Sequence, residues 1–213
     1  MGIPDPQIDK QHCAALVHEY LRCKDAFIAF SSLAEEIIVR GASRHDAYRA
    51  YNAYSDFILH LYEFLIAAHA RDLGVPEITV PKGKQKFQFL DALIHSTTTK
   101  MVERKIYCIE NGIAPSWENH ISVYENMLPV PENFAANFRR MRNKIGGHVT
   151  YERINEINLT RFYEENHNYL YLLYRECGDF WDRCADEFPD LEQITDFFGA
   201  ISRRMRPNEE HFK

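Results

Sequence analysis

The chain has 213 residues, with 25 Lys and Arg against 31 Asp and Glu, a formal charge of −6. Hydrophobic residues make up 46%, enough for a full core, which excludes a disordered chain. Nine Gly and nine Pro exclude collagen-like sequence, and the acidity argues against a general nucleic-acid coat protein while leaving room for a small basic patch. The length fits a single helical domain spanning residues 1–213.

Taken in order, nearly every segment has helical spacing. The N-terminus lacks a basic stretch followed by an apolar run, so no secretory signal is read, and Pro4 and Pro6 spoil a myristoylation pattern. A first helix is expected from Gln7 to Arg40, where Leu16, Val17, Tyr20, Phe27, Phe30 and Ile37 form an apolar stripe that Gly41 ends. Ser43, with Asp46 three positions on, caps a second helix running to Asp72. His60, Glu63 and His69 interrupt its apolar stretch, and no segment reaches the ~20 apolar residues that cross a bilayer. Ile78–Val80 is the only β-like stretch and is too short to found a sheet.

A third helix is expected from Gln85 to Asn111, ending at Gly112. Residues 112–131 hold Pro115, Pro129 and Pro131 and read as a loop with one helical turn near Trp117–Tyr124. Pro131 is placed in the first turn of a fourth helix carrying Phe134, Ala135, Phe138, Met141 and Ile145, weakened at its end by Gly146-Gly147. A fifth helix follows from Thr160 to Phe188, and a last one from Leu191 to Met205. The expected fold is therefore all-α, an antiparallel bundle of five or six helices. Its 26 Phe and Tyr and two Trp suit either a wide aromatic core or an oligomer interface.

Chemistry concentrates within residues 131–188, in Phe138–His148, which reads FRRMRNKIGGH. Arg139, Arg140, Arg142 and Lys144 sit on a helix that breaks at the two glycines, and the break lets the chain turn and bring His148 back towards Arg142. A fixed guanidinium beside a titratable imidazole suits phosphodiester cleavage without a metal. The imidazole moves a proton near neutral pH, and the guanidinium holds a phosphate and its growing charge.

Arg142-Asn143-Lys144-Ile145-Gly146-Gly147-His148 resembles the signature of HEPN-domain ribonucleases: an Arg, four to six residues and a His, with a polar residue directly after the Arg. The resemblance covers about residues 130–175. It implies a helical bundle, dimerisation so that two motifs share a cleft, metal-independent RNA cleavage, and a role as a toxin or phage-defence effector with an antitoxin or regulatory protein as partner. It implies that Arg142 binds the scissile phosphate, His148 serves as acid or base and Asn143 shapes the site. The expected product carries a 2′,3′-cyclic phosphate. Some family members carry a modified Tyr two residues after the His; here Val149 and Thr150 intervene and Tyr151 stands three after it.

The same spacing recurs at Arg40–His45, Arg161–His167, Arg204–His211 and Arg206–His211, so context discriminates, and only Arg142 is followed by Asn. Arg139, Arg140, Lys144 and Arg153 are candidate RNA-binding cations. Asn52, Asp56, His60 and Glu63 share one side of the second helix; Asp56 and Glu63 either hold the Arg142–His148 pair from behind or belong to a solvated face.

No metal site is expected, because the histidines lack i, i+4 pairing and no HExxH occurs. No nucleotide cofactor is expected, because GxGxxG and P-loop sequences are missing. The five scattered cysteines, without a CxxC, read as reduced thiols of a cytoplasmic protein. Two functions remain open: a homodimeric endoribonuclease, and a non-catalytic bundle of the same kind that binds a partner protein or small ligand.

Overall fold

A computed structural model describes residues 2–41, 43–79, 84–145, 158–184 and 192–205. Seven helices make up the described structure: α1 (Pro6–Arg40), α2 (Arg44–Asp72), α3 (Lys84–Glu110), α4 (Ile121–Glu125), α5 (Phe134–Ile145), α6 (Leu159–Cys184) and α7 (Glu192–Met205). The chain is an all-α bundle, as its periodicity predicts. No strand occurs among the described residues.

Local chemistry accounts for the helix ends. Asp5 caps α1 by accepting from the backbone N–H groups of Gln7 and Ile8, with Pro6 in the first turn. Ser43 and Asp46 form a reciprocal capping box at the start of α2. Between them Gly41 takes φ +79°, a left-handed conformation that favours glycine, so the chain reverses within three residues and α1 packs along α2. One boundary differs from expectation. Pro131 lies outside α5: its carbonyl accepts the Phe134 N–H at 2.9 Å, closing a turn from which the helix then starts.

The core is largely aromatic. Phe57 and Phe64 on α2 and Phe134 and Phe138 on α5 are fully buried, each contributing about 1.5–3 kcal/mol of transfer free energy. Rings interlock where α1, α2 and α6 meet. Phe27 lies 5.0 Å from Phe57 and 4.7 Å from Tyr174, and Phe30 lies 4.7 Å from Tyr54. These rings take the core role. A second set, including Tyr48, Tyr107, Trp117, Phe197 and Phe198, stays exposed. Cys13 and Cys23 are buried thiols, and Cys108 and Cys177 are partly buried. Among the described residues no helix is long and apolar enough to cross a membrane.

α5 is wedged against α2, α3 and α6. Its buried face is anchored by Phe138, edge-on to Tyr62 of α2 at 5.2 Å, and by Phe134, 5.0 Å from Tyr169 of α6. The Tyr169 hydroxyl donates to the Met127 carbonyl at 3.0 Å, tying α6 to the loop that leads into α5. This packing fixes the rotation of α5 and therefore the direction of each of its cations.

Candidate functional site

The apolar face of α5 leaves its Arg and Lys side chains on two flanks. Arg139, Arg142 and Asn143 line a cavity of about 240 Å³ against α2 and α3, whereas Arg140 and Lys144 line a groove of about 320 Å³ against α6.

Arg142 occupies the last turn of α5, where a cation also suits the helix dipole. Its Nη2 pairs with Glu63 of α2, and its Nη1 donates to Asn143 Oδ1 at 2.8 Å. The guanidinium carbon lies 5.7 Å from the Tyr62 ring centre, within cation–π range. Burial pushes the Tyr62 hydroxyl up to about 12, so it remains neutral at physiological pH and adds no charge of its own. The buried Arg142 Nε–H meets no acceptor among the described residues, so part of the guanidinium fork is uncommitted. Three sequence candidates, Arg142, Asn143 and Glu63, thus form one contiguous unit.

Arg139 is placed differently. It grips Asp91 of α3 through two parallel hydrogen bonds, from Nε at 2.8 Å and Nη2 at 2.9 Å. Its guanidinium stacks 4.6 Å from the Phe87 ring centre. The forked pair holds α5 to α3 and neutralises the Arg139 charge. Asp56 is exposed on α2. His60, placed on the same side by spacing, turns to α1, where Glu19 accepts from its Nδ1 at 2.7 Å. His148, Arg153 and Tyr151 lie outside the described residues.

The competing Arg161–His167 spacing does not form a unit. Arg161 Nε donates to Glu165 one turn on, at 2.7 Å. His167 turns inward instead: its ring stacks on Tyr163 at 4.5 Å, and its Nδ1 lies 3.1 Å from the Tyr54 hydroxyl. Burial holds the His167 imidazole below its ordinary pKa, favouring the neutral ring. Arg204, Arg206 and His211 yield no comparison, because residues 206–213 lie outside the described residues.

Three contributors escape sequence reasoning. Asp91 sits 48 residues from Arg139, and no local pattern pairs them. Tyr62 reads as an ordinary core aromatic. Asn158 carried a usable signal, since Asn before an apolar helical run is a preferred N-cap; its Oδ1 accepts the Arg161 N–H at 2.8 Å and starts α6 at Leu159.

Among the described residues no group of three or more His, Cys, Asp or Glu side chains is arranged to hold a metal ion. Comparison of the chain with family models, with characterised proteins and with solved structures returns no match.

Proposed function

We propose that this protein is a metal-independent endoribonuclease of the HEPN type, acting as a homodimer in the cytoplasm as a toxin or phage-defence effector. The observation that carries the reading is the Arg142 unit. A guanidinium held by Glu63, Asn143 and the Tyr62 ring sits three residues before Ile145, where Gly146-Gly147-His148 begins. A preorganised cation, about a third exposed, suits a developing phosphorane, because no reorganisation is then needed at the moment of reaction.

In this mechanism the ribose 2′-oxygen attacks the adjacent phosphorus and the bond from phosphorus to the 5′-oxygen breaks. His148 accepts the 2′-hydroxyl proton or supplies one to the leaving oxygen, and Arg142 stabilises the charge gathering on the non-bridging oxygens. The products are a 2′,3′-cyclic phosphate and a 5′-hydroxyl. Glu63 orients Arg142 and is a positioning residue. An antitoxin or regulatory protein would hold such an activity in check.

A second reading, a non-catalytic bundle that binds a partner protein or small ligand, draws on a different observation. The exposed rings of Trp117, Phe197 and Phe198, each about 70% accessible, offer contact surface on an acidic molecule.

Purified protein is incubated with mixed RNA in EDTA, alongside Arg142→Ala and His148→Ala proteins of equal foldedness. Cleavage by the parent alone, with cyclic-phosphate ends, supports the nuclease. No cleavage by any of the three moves the weight to the binding module.

A further inference from the structure

α7 stands apart from the rest of the bundle. Among the described residues it packs closely against no other helix, and none of its described side chains joins the hydrophobic core. Yet α7 carries an apolar stripe of its own. Ile194, Phe197, Phe198 and Ile201 fall at i, i+3, i+4 and i+7, the spacing of a seam that meets another helix. All four are exposed: the two rings show 67% and 70% of their surface, and the two isoleucines 39% and 40%. A helix of 14 residues is short enough to be marginal in water unless such a face is covered.

The order of the residues points to what covers it. The stripe is symmetric about the bond between Phe197 and Phe198, with an isoleucine at the mirrored position on either side. Two copies of α7 laid antiparallel about a two-fold axis at that point set Phe197 of one level with Phe198 of the other, and Ile194 level with Ile201. The surface is then its own complement, as a two-fold contact requires. Charge favours the same orientation. In the sequence the acidic residues Glu192 and Asp196 belong to the first half of α7, and the basic residues Arg203 and Arg204 to the second. An antiparallel pair brings the acidic half beside the basic half and opposes the two helix dipoles, whereas a parallel pair brings like beside like. The size of the seam sets its strength. Taking about 200 Å² per ring, the four phenylalanines of a pair offer roughly 550 Å² of exposed surface. That is below the ~1,200–2,000 Å² of stable complexes even before the isoleucines are added, which fits a weak, concentration-dependent dimer.

We propose that α7 is a self-association helix: two copies of this chain pair through Ile194, Phe197, Phe198 and Ile201, antiparallel and centred between the two phenylalanines. The proposal does not depend on the ribonuclease reading, and its readout is mass, not cleavage.

Sedimentation velocity of the full-length protein is expected to show reversible association with a midpoint on the order of 10 µM. Phe197→Ser/Phe198→Ser is expected to bring the mass at the highest concentration down to that of the smaller species, and Ile194→Ser/Ile201→Ser to raise the midpoint about tenfold or more. Both variants change exposed side chains, so the thermal melt of the bundle is expected to stay as in the parent. Tyr48→Ser, which removes a similarly exposed ring from α2, is the control and is expected to associate as the parent does. Orientation is read with a short bismaleimide. A mixture of Ile194→Cys and Ile201→Cys proteins is expected to give a product cross-linked between those two positions, well above what either protein gives alone.

A parent that is monomeric over the whole concentration range overturns the proposal, as do stripe variants that associate like the parent. Cross-linking of the Ile194→Cys protein to itself in preference to the mixture overturns the antiparallel pair. A parent that stays monomeric but binds vesicles of phosphatidylcholine and phosphatidylglycerol through the same four residues overturns it in favour of a lipid surface.

Discussion

Glu63 of α2 and Arg142 of α5 are paired across the bundle, 79 positions apart in the chain, with the Tyr62 ring beneath the guanidinium. Both side chains keep about a third of their surface exposed, so the pair adds little to stability, about 0–1 kcal/mol. Its effect is on orientation. Glu63→Gln is expected to leave the urea midpoint nearly unchanged and to lower kcat for RNA cleavage about tenfold or more, with KM changed less. Steady-state kinetics with urea melts on the same samples check this. Parental kcat in the variant would remove Glu63 from the site.

Arg139 and Asp91 form the more structural of the two arginine pairs on this flank of α5. Both members are about one-fifth exposed, and the bonds are bidentate. Either Arg139→Ala or Asp91→Ala is expected to cost about 1.5–3 kcal/mol, the scale of hydrogen bonds to charged groups. The double variant is expected to cost clearly less than the sum, because the partner is no longer stranded. Urea denaturation of all four proteins closes the cycle. Additive losses would mean that the pair is not coupled.

Helices and caps were legible because their determinants are local. The Ser43–Asp46 box and the Gly41 turn lie within a few residues of one another, and the structure places them as the spacing predicts. α5 was located but started early, because Pro131 is equally suited to a helix first turn and to the preceding reverse turn, which its carbonyl closes. The candidate site was legible only in part. Arg142 and Asn143 stood out by sequence, and Glu63 was one of two carboxylates that helical spacing offered. Choosing Glu63 over Asp56, and assigning Arg139 to Asp91, depended on how α2, α3 and α5 rotate against each other, which is set by the packing of Phe138 and Phe134.

Glu118 ties the loop after α3 to three helices, α3, α4 and α6. It accepts from the Tyr124 hydroxyl at 2.5 Å, from Lys105 Nζ at 2.9 Å and from Arg175 Nη2 at 2.9 Å. Burial alone would raise its carboxyl, but these donors and the Asn119 N–H bring it down to about 2. A depressed folded pKa contributes stability that is complete above the ordinary glutamate range. That stability is lost as pH falls from about 4.5 towards about 2. Glu118→Gln is expected to cost on the order of 3 kcal/mol at pH 7. The gap between parent and variant should shrink as pH falls through that window. Urea midpoints at pH 7, 4.5 and 3 measure it, and a gap independent of pH would show that the charge of Glu118 is not what holds the loop.

His167 and His69 act in the same direction, but in a higher pH window. Burial lowers both imidazoles below their ordinary value, so the folded chain disfavours their protonation. The unfolded chain then binds more protons as pH drops below about 6.5, and the folded state loses stability there. Hydrogen exchange or urea melts between pH 7.5 and 5 are expected to show this loss, reduced in His69→Gln/His167→Gln. An unchanged slope would assign the acid sensitivity to other groups.

Gly178 marks where α6 meets α1. A Cβ added there would collide with the hydroxyl of Tyr20, which is buried and cannot swing away, being stacked 6.0 Å from Tyr174 and edge-on to Phe64 at 5.5 Å. In an open helix Gly→Ala would add about 1 kcal/mol of stability. Here Gly178→Ala is expected to destabilise by about 1–3 kcal/mol, the usual cost of overpacking a filled core. Removing the hydroxyl should relieve the collision, so Tyr20→Phe is expected to recover much of the loss in the Gly178→Ala background. Thermal melts of the single and double variants decide it: a Gly178→Ala protein as stable as the parent would mean that α6 shifts along α1 at no cost, and a double variant no better than Gly178→Ala alone would place the strain on some other neighbour.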